Sequence, residues 1–373
     1  LNILQLINVR WYNACAYYAV ALSYALSRRG HKVIVAGDPQ SPPLVRAEKL
    51  GLATRRDLHL SRTSPWMIGY NVKRVMELVR TDGIDIIDAH RGESHVAAAL
   101  ARRVMRTRVG VVRTRGDARP PRRSALNRWL NGQLTDKIIT TCELLKVSYM
   151  DRLQVNPEKV VSVPVGIDHE FFLPKEPDPS LMAQLQIVPK SPVVGMVGRL
   201  SPVKGHEYFM RSAQLVLKSF PRTVFLICGE DAQISSAQLK QHARDMAIHE
   251  SFRFLGRVRD IREIIALLDV GVVSSVGSET ICRVALEYMS MGKPVVGTKV
   301  NAIPEVVHHG VNGLVVEPKS PEQMAASLID LLQDEPKRRR FGQKSRDLVV
   351  ERFTLDHFAR KTEEVYESLL HRL

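Results

Sequence analysis

Two glutamates eight positions apart, Glu279 and Glu287, follow an apolar run at 270–273 that reads as a buried strand. A helical pattern covers 281–291 between and beyond them, closed by Gly292 and followed by a short strand at 294–297. On a helix of 3.6 residues per turn, eight positions amount to about 800°. That sets the two carboxylates roughly 80° apart and about 12 Å along the axis. Glu279 is then expected at the helix mouth, beside the main-chain N–H groups of Thr280, Ile281 and Cys282, which attract anions. A carboxylate there repels phosphate, so it suits hydroxyl groups lying next to a phosphate. Glu287 is expected two turns further along, facing the same crevice.

Upstream, the apolar run 193–197 leads through Gly198 into Arg199 and then, five residues on, Lys204 and Gly205. Two cations at a strand-to-helix turn suit a diphosphate, which arginine grips with a fork of donors and lysine with a point charge. Gly195 and Gly198 do not have the spacing of a dinucleotide fingerprint, and Lys204-Gly205-His206 does not complete a phosphate-binding Gly-Lys-Ser/Thr loop. No Asp-x-Asp occurs, so a metal-held diphosphate at such a motif is not expected. His90 ends a strand whose tip also carries Asp88 on the same face.

The elements that must position these residues alternate strand and helix throughout, which predicts parallel sheets covered on both sides. Strands are expected at 3–7, 32–37, 85–90, 109–112, 137–140 and 159–163, with helices at 12–27, 64–81 and 124–134. A stretch bearing Pro and Gly, 164–179, reads as a linker. Beyond it the alternation repeats, and the tail 354–373 is helical by pattern. The chain is 373 residues long, which suits two domains better than one core.

No apolar run approaches the ~18–20 residues that span a bilayer. The opening segment reads as a strand rather than a signal peptide. Four scattered cysteines suggest neither a zinc site nor a disulfide framework, and a reducing cytoplasm is the default. The net charge is +15, of which residues 1–170 hold +12 (27 Lys+Arg against 15 Asp+Glu). Ten arginines against one acid, Asp117, lie between 102 and 128. Such a basic half points to a phosphorylated substrate, an anionic lipid surface or nucleic acid. Nucleic acid is not expected, because the run lacks interleaved aromatics apart from Trp129.

The order and spacing of these segments, with 163–168, 254–258, 301–307 and 310–316, resemble the retaining glycosyltransferases of family 4, which use nucleotide sugars. The resemblance is clearest from 160 to 353. It implies the GT-B fold: two Rossmann-like parallel-sheet domains facing a cleft, with the last helix crossing back to the first domain. The domains are expected at 1–170 plus 355–373 (acceptor) and 171–354 (donor). The implied reaction is transfer of a sugar from a UDP-, GDP- or ADP-linked donor to a hydroxyl of a glycan or lipid-linked acceptor, with retention. No cofactor, metal or protein base is implied. The alternatives are a sugar-nucleotide 2-epimerase, a phosphorylase, or a catalytically silent binder of sugar nucleotides or polyanions.

Carried over residue by residue, the resemblance assigns Arg199 and Lys204 to the diphosphate. Glu279 and the amides of 280–282 go to the sugar and phosphate, Glu287 to the ribose, and Val258 to the base. His90 is expected near the transferred sugar. The family usually has a Thr-x-His-Gly pattern where this chain reads Arg113-Thr114-Arg115-Gly116, so Arg115 holds the place of the histidine. The family's Gly-Gly pair in the first loop is replaced by Arg10-Trp11-Tyr12-Asn13-Ala14. With the basic first half, the resemblance implies a peripheral enzyme at the cytoplasmic membrane face, in lipopolysaccharide or other cell-envelope glycan synthesis.

Overall fold

The computed structural model describes residues 1–370, which divide into two compact units, 1–166 with 353–370 and 167–352. These boundaries lie a few residues before those expected from the sequence, at 170 and 354. The first unit holds a seven-stranded sheet: β1 (Asn2–Ile7), β2 (Lys32–Gly37), β3 (Ala53–Arg55), β4 (Ile86–Ala89), β5 (Gly110–Arg115), β6 (Lys137–Thr140) and β7 (Val160–Ser162). Its order is β3-β2-β1-β4-β5-β6-β7 and every pair is parallel. The second unit holds β8 (Val193–Val197), β9 (Val224–Cys228), β10 (Phe252–Leu255), β11 (Val270–Val273), β12 (Val295–Thr298) and β13 (Gly313–Val316). Their order, β10-β9-β8-β11-β12-β13, is again all parallel.

Helices on both faces bury the central strands completely, which is why these strands read as continuous Val/Ile/Leu runs rather than alternating ones. In each sheet the strand order reverses once, between β1 and β4 and between β8 and β11. Loops diverge at such a point and leave a crevice at the carboxyl edge. His90 and Arg91 follow β4, Arg199 follows β8, and Glu279 lies beyond β11.

The helix Leu355–Leu370 belongs to the first unit. Phe358 meets Tyr18 edge-on with ring centroids 4.7 Å apart. Tyr366 Oη donates to Asp88 Oδ2 at 2.7 Å and accepts from Gln5 Nε2 at 3.2 Å. Arg29 pairs with Asp356 and Glu363 on the outside. Buried Phe358 and Leu369 contribute about 1.5–3 kcal/mol each, against at most about 1 kcal/mol for an exposed ion pair, so apolar packing docks this helix.

Several elements differ from the sequence reading. Strand β5 runs on to Arg115, so Arg113 and Arg115 lie on the strand and not in a loop after it. Pairing with β6 (Arg113↔Ile138, Arg115↔Thr140) holds this extension although the apolar pattern stops at Val112. Helices Pro42–Lys49, Gly92–Met105, Glu143–Leu153 and Glu335–Arg352 were not anticipated. The helix expected at 281–291 is Arg283–Ser290, preceded by Cys282 in the left-handed region (φ 53°). Glu279 therefore stands on an irregular loop, and the helical separation of 80° and 12 Å does not apply.

Gly271 and Gly205 are among the glycines required by close approach. A Cβ on Gly271, in the middle of β11, would lie 2.4 Å from the Tyr288 ring. Gly205 has φ +72°, and its Cβ would lie 2.1 Å from the carbonyl oxygen of Ser274. Gly205→Ala is therefore expected to lower the melting temperature by roughly 4 °C or more. The left-handed conformation alone costs about 1–2 kcal/mol, at about 2–4 °C per kcal/mol in a unit of this size. An unchanged melting temperature would show that the turn relaxes without cost.

Candidate active site

In the second unit the loops after β8 and β11 are fastened to each other. Val276 N donates to Val203 O at 2.8 Å, and Ser274 Oγ donates to Lys204 O at 2.8 Å. This brings together Lys204 and Glu279, which are 75 positions apart. Lys204 Nζ donates to Glu279 Oε2 at 2.5 Å, and Ser275 Oγ donates to the same oxygen at 2.7 Å. The main chain of Glu279 is also held: its N–H donates to Asn301 Oδ1 at 2.9 Å, and its carbonyl accepts from Ala302 N at 3.0 Å. Ser278, Cys282 and Asn301 all have positive φ. Three such residues around one carboxylate cost about 1–3 kcal/mol each, a strain that concentrates at functional sites.

Glu279 is 7% exposed and Glu287 3%. Glu287 Oε1 lies 3.4 Å from Arg283 Nε, one turn back on the helix. Burial raises the pKa of Glu287 above the ordinary carboxylate value, and the charge of Arg283 offsets this only in part. The side chains of Thr280, Ile281 and Cys282 are buried. Arg199 is exposed, and among the described residues it forms no ion pair. Val258 is half-buried in the loop after β10, beside Arg257, whose Nη1 lies 3.3 Å from Glu230.

In the first unit His90 and Arg115 are differently placed. His90 is buried, its Nε2 2.5 Å from Gln5 Oε1 and 3.8 Å from Asp88 Oδ2. Burial lowers its pKa, so the ring is neutral at physiological pH. It belongs to the network that also takes in Tyr366 and Thr114. Arg115 lines a cavity of about 570 Å³ at the carboxyl edge of β4 and β5. The same cavity is lined by Arg62, Arg91, Arg113, Arg119 and Arg122, with Glu93 and Asp117 as its acids.

Sequence reasoning saw the arginine run but not its division. Arg113 and Arg115 lie two apart on β5, the spacing that shares one face, and this was the available signal. Arg102 instead pairs with Asp136 and, with Arg103, Arg106 and Arg108, lines a separate shallow depression. The supports Ser275 and Asn301 were missed too, because a hydroxyl or amide gives no signal until the loops are folded. Among the described residues no three His, Cys, Asp or Glu side chains gather where they could hold a metal ion. No helix there is long and apolar enough to cross a membrane.

Two Rossmann-like units, with a Lys–Glu pair at the switch point of the second sheet and a second buried glutamate on the helix that follows, are the parts of a GT-B protein. Comparison with known proteins places it more closely. Residues 16–171 match the family model for Glycosyltransferase Family 4, and residues 178–348 match that for Glycosyl transferases group 1. The two matches follow one another along the chain and together span most of it. The chain belongs to glycosyltransferase family 4. It is 29% identical over 229 residues to D-inositol 3-phosphate glycosyltransferase of Corynebacterium aurimucosum. That match covers 59% of this chain and 54% of the relative, so the chain spans about half the length of that protein. A glycosyltransferase from Rickettsia africae superposes with a TM-score of 0.89 at 18% identity, covering 99% of this chain and 98% of the other. Anabaena Alr3699/HepE, solved in complex with UDP and glucose, gives 0.83 at 20% identity and coverages of 98% and 99%. At these identities the solved structures establish the fold.

Proposed function

We propose that the protein transfers a hexose or related sugar from a nucleoside diphosphate to a hydroxyl of a glycan or lipid-linked acceptor, with retention and without a metal. The observation that carries this reading is the Lys204–Glu279 pair held between the loops of β8 and β11. The turn places a cation at the switch point, where a diphosphate binds in doubly wound sheets. Lys204 has two further donors beyond the one spent on Glu279. With exposed Arg199, it neutralises the charge that develops as the diphosphate leaves, an effect worth several kcal/mol in preorganised sites. Glu279 accepts from the donor sugar's hydroxyls through Oε1, since its other oxygen is taken. Glu287 accepts from the ribose, and the loop around Val258 holds the base.

The Anabaena protein's complex with UDP and glucose supports UDP as the first donor to test, ahead of GDP and ADP. The basic first unit supports an anionic acceptor and a peripheral place at the cytoplasmic membrane face, as in lipopolysaccharide or other envelope glycan assembly. Incubation with UDP-, GDP- and ADP-sugars, with and without acceptor hydroxyls, tests the reading. The expected result is acceptor-dependent release of one nucleoside diphosphate, undiminished by EDTA, with the donor's anomeric configuration kept in the product. Free epimerised sugar without acceptor would instead indicate an epimerase. Loss in EDTA with rescue by manganese would overturn metal independence.

A further inference from the structure

The cavity of the first unit carries more positive charge than its own walls neutralise. Six guanidinium groups face two carboxylates, an excess of +4. Both acids are ionised. Burial pushes Asp117 up, but hydrogen bonds from Arg119 and the charges of Arg115 and Arg119 outweigh it and hold the carboxyl at about 2. Burial likewise opposes the lowering of Glu93, which its own N–H, Asn8 and the charges of Arg91 and Arg113 bring about. Asp117 orients two of the arginines, taking Arg119 at 2.7 Å and Arg91 at 3.6 Å, while Glu93 accepts from Asn8 at 3.2 Å.

Among the described residues the remaining cations have no carboxylate within ion-pair distance. Arg113 is 2% exposed, and its Nη1 donates to the carbonyls of Ala89 at 2.7 Å and Thr114 at 3.0 Å. Among the described residues no carboxylate pairs with it. Arg115 Nη2 donates to Arg119 O at 2.5 Å, while its Nε is buried without a partner. Arg62 and Arg122, both exposed, likewise form no ion pair among the described residues. Buried and unpaired, the Arg113 charge is costly, and a bound anion supplies what the protein withholds. The planar forks of several arginines fit phosphate oxygens two at a time. An excess of four exceeds what one carboxylate would balance, so a dianionic group suits it better. The cavity volume is that of a small-molecule site.

We propose that this cavity binds a phosphate group carried by the acceptor, so that the acceptor is a phosphorylated sugar or glycan. The inference rests on the transferase reading only for the word acceptor; the anion site stands on its own geometry. Calorimetric titration at constant physiological ionic strength tests it, with inorganic phosphate, glucose 6-phosphate and glucose as probes. Glucose 6-phosphate is expected to bind at least about tenfold more tightly than glucose, and inorganic phosphate to compete with it. Arg115→Ala and the exposed Arg122→Ala should each weaken it by about tenfold, the worth of one charge-assisted bond. Arg106→Ala, outside the cavity, should leave it unchanged. Vesicles of phosphatidic acid, a phosphate monoester like the probe, that displace glucose 6-phosphate from wild type would assign the phosphate to a lipid headgroup, and failure to displace would assign it to a soluble acceptor. No binding of either phosphate probe, or equal weakening by Arg106→Ala and Arg122→Ala, would overturn the proposal. Phosphate binding that persists when no nucleotide sugar is turned over would sink the transferase reading and leave the anion site standing.

Discussion

Lys204→Ala is expected to reduce turnover at least tenfold while leaving the sheet intact. Its Nζ is the cation the fold holds most firmly at the second unit's switch point, 2.5 Å from Glu279 Oε2. The same contact complicates a simple reading. Removing the lysine leaves Glu279 almost buried, with only the Ser275 hydroxyl on that oxygen, which costs about 1–3 kcal/mol of stability. A loss of activity could thus come from a disordered Glu279 loop rather than from a missing diphosphate contact. The double variant Lys204→Ala/Glu279→Gln separates the two. If the lysine only neutralises Glu279, the double variant is as stable and as active as Glu279→Gln alone. If the lysine acts on the diphosphate, the double variant matches Glu279→Gln in stability but turns over at least tenfold more slowly. Wild-type turnover in Lys204→Ala would end the assignment.

The fold was largely legible because parallel strands buried on both faces leave unbroken apolar runs, such as 193–197 and 270–273. Short helices built on mixed sequence were not. Gly92–Met105 carries alanines on its buried side and arginines near its end, and the eye follows the charge instead. The carboxylates were legible as residue types at a spacing, but their geometry was not. Cys282 and Ser278 in the left-handed region turn the segment before Arg283 into a loop, and neither residue type announces a positive φ as glycine does. The arginine run shows the opposite failure. Read as one surface, it divides into a buried strand residue, a cavity wall and an outer depression, because a strand and two helices pass through it. For His90, sequence reasoning named the strand end and Asp88 on the same face, but could not see Gln5 closing on the ring from a neighbouring strand.

Glu287 offers the second large effect, and one with a pH signature. Its carboxyl is buried and its pKa is raised, first by desolvation, with Arg283 opposing. An acid whose folded pKa lies above its unfolded value binds its proton more tightly when folded. Stability from this group is present below the ordinary carboxylate value. It declines as pH rises from there through the raised folded value. Glu287→Gln keeps the shape and cannot ionise, so its melting temperature should gain on wild type as pH rises from about 4.5 toward neutrality. Nucleotide binding should move the other way. A carboxylate accepting ribose hydroxyls makes charge-assisted bonds, worth about 1.5–3 kcal/mol against about 0.5–1.5 for neutral ones. Glu287→Gln should therefore bind UDP several-fold more weakly at neutral pH, and Glu287→Ala tenfold or more. Wild-type affinity should itself rise with pH as the carboxyl ionises, while that of the glutamine variant stays flat. A residue that merely packs the helix would move stability alone. Variants that bind UDP, GDP and ADP as wild type does, whatever their melting temperatures, would remove Glu287 from the donor site.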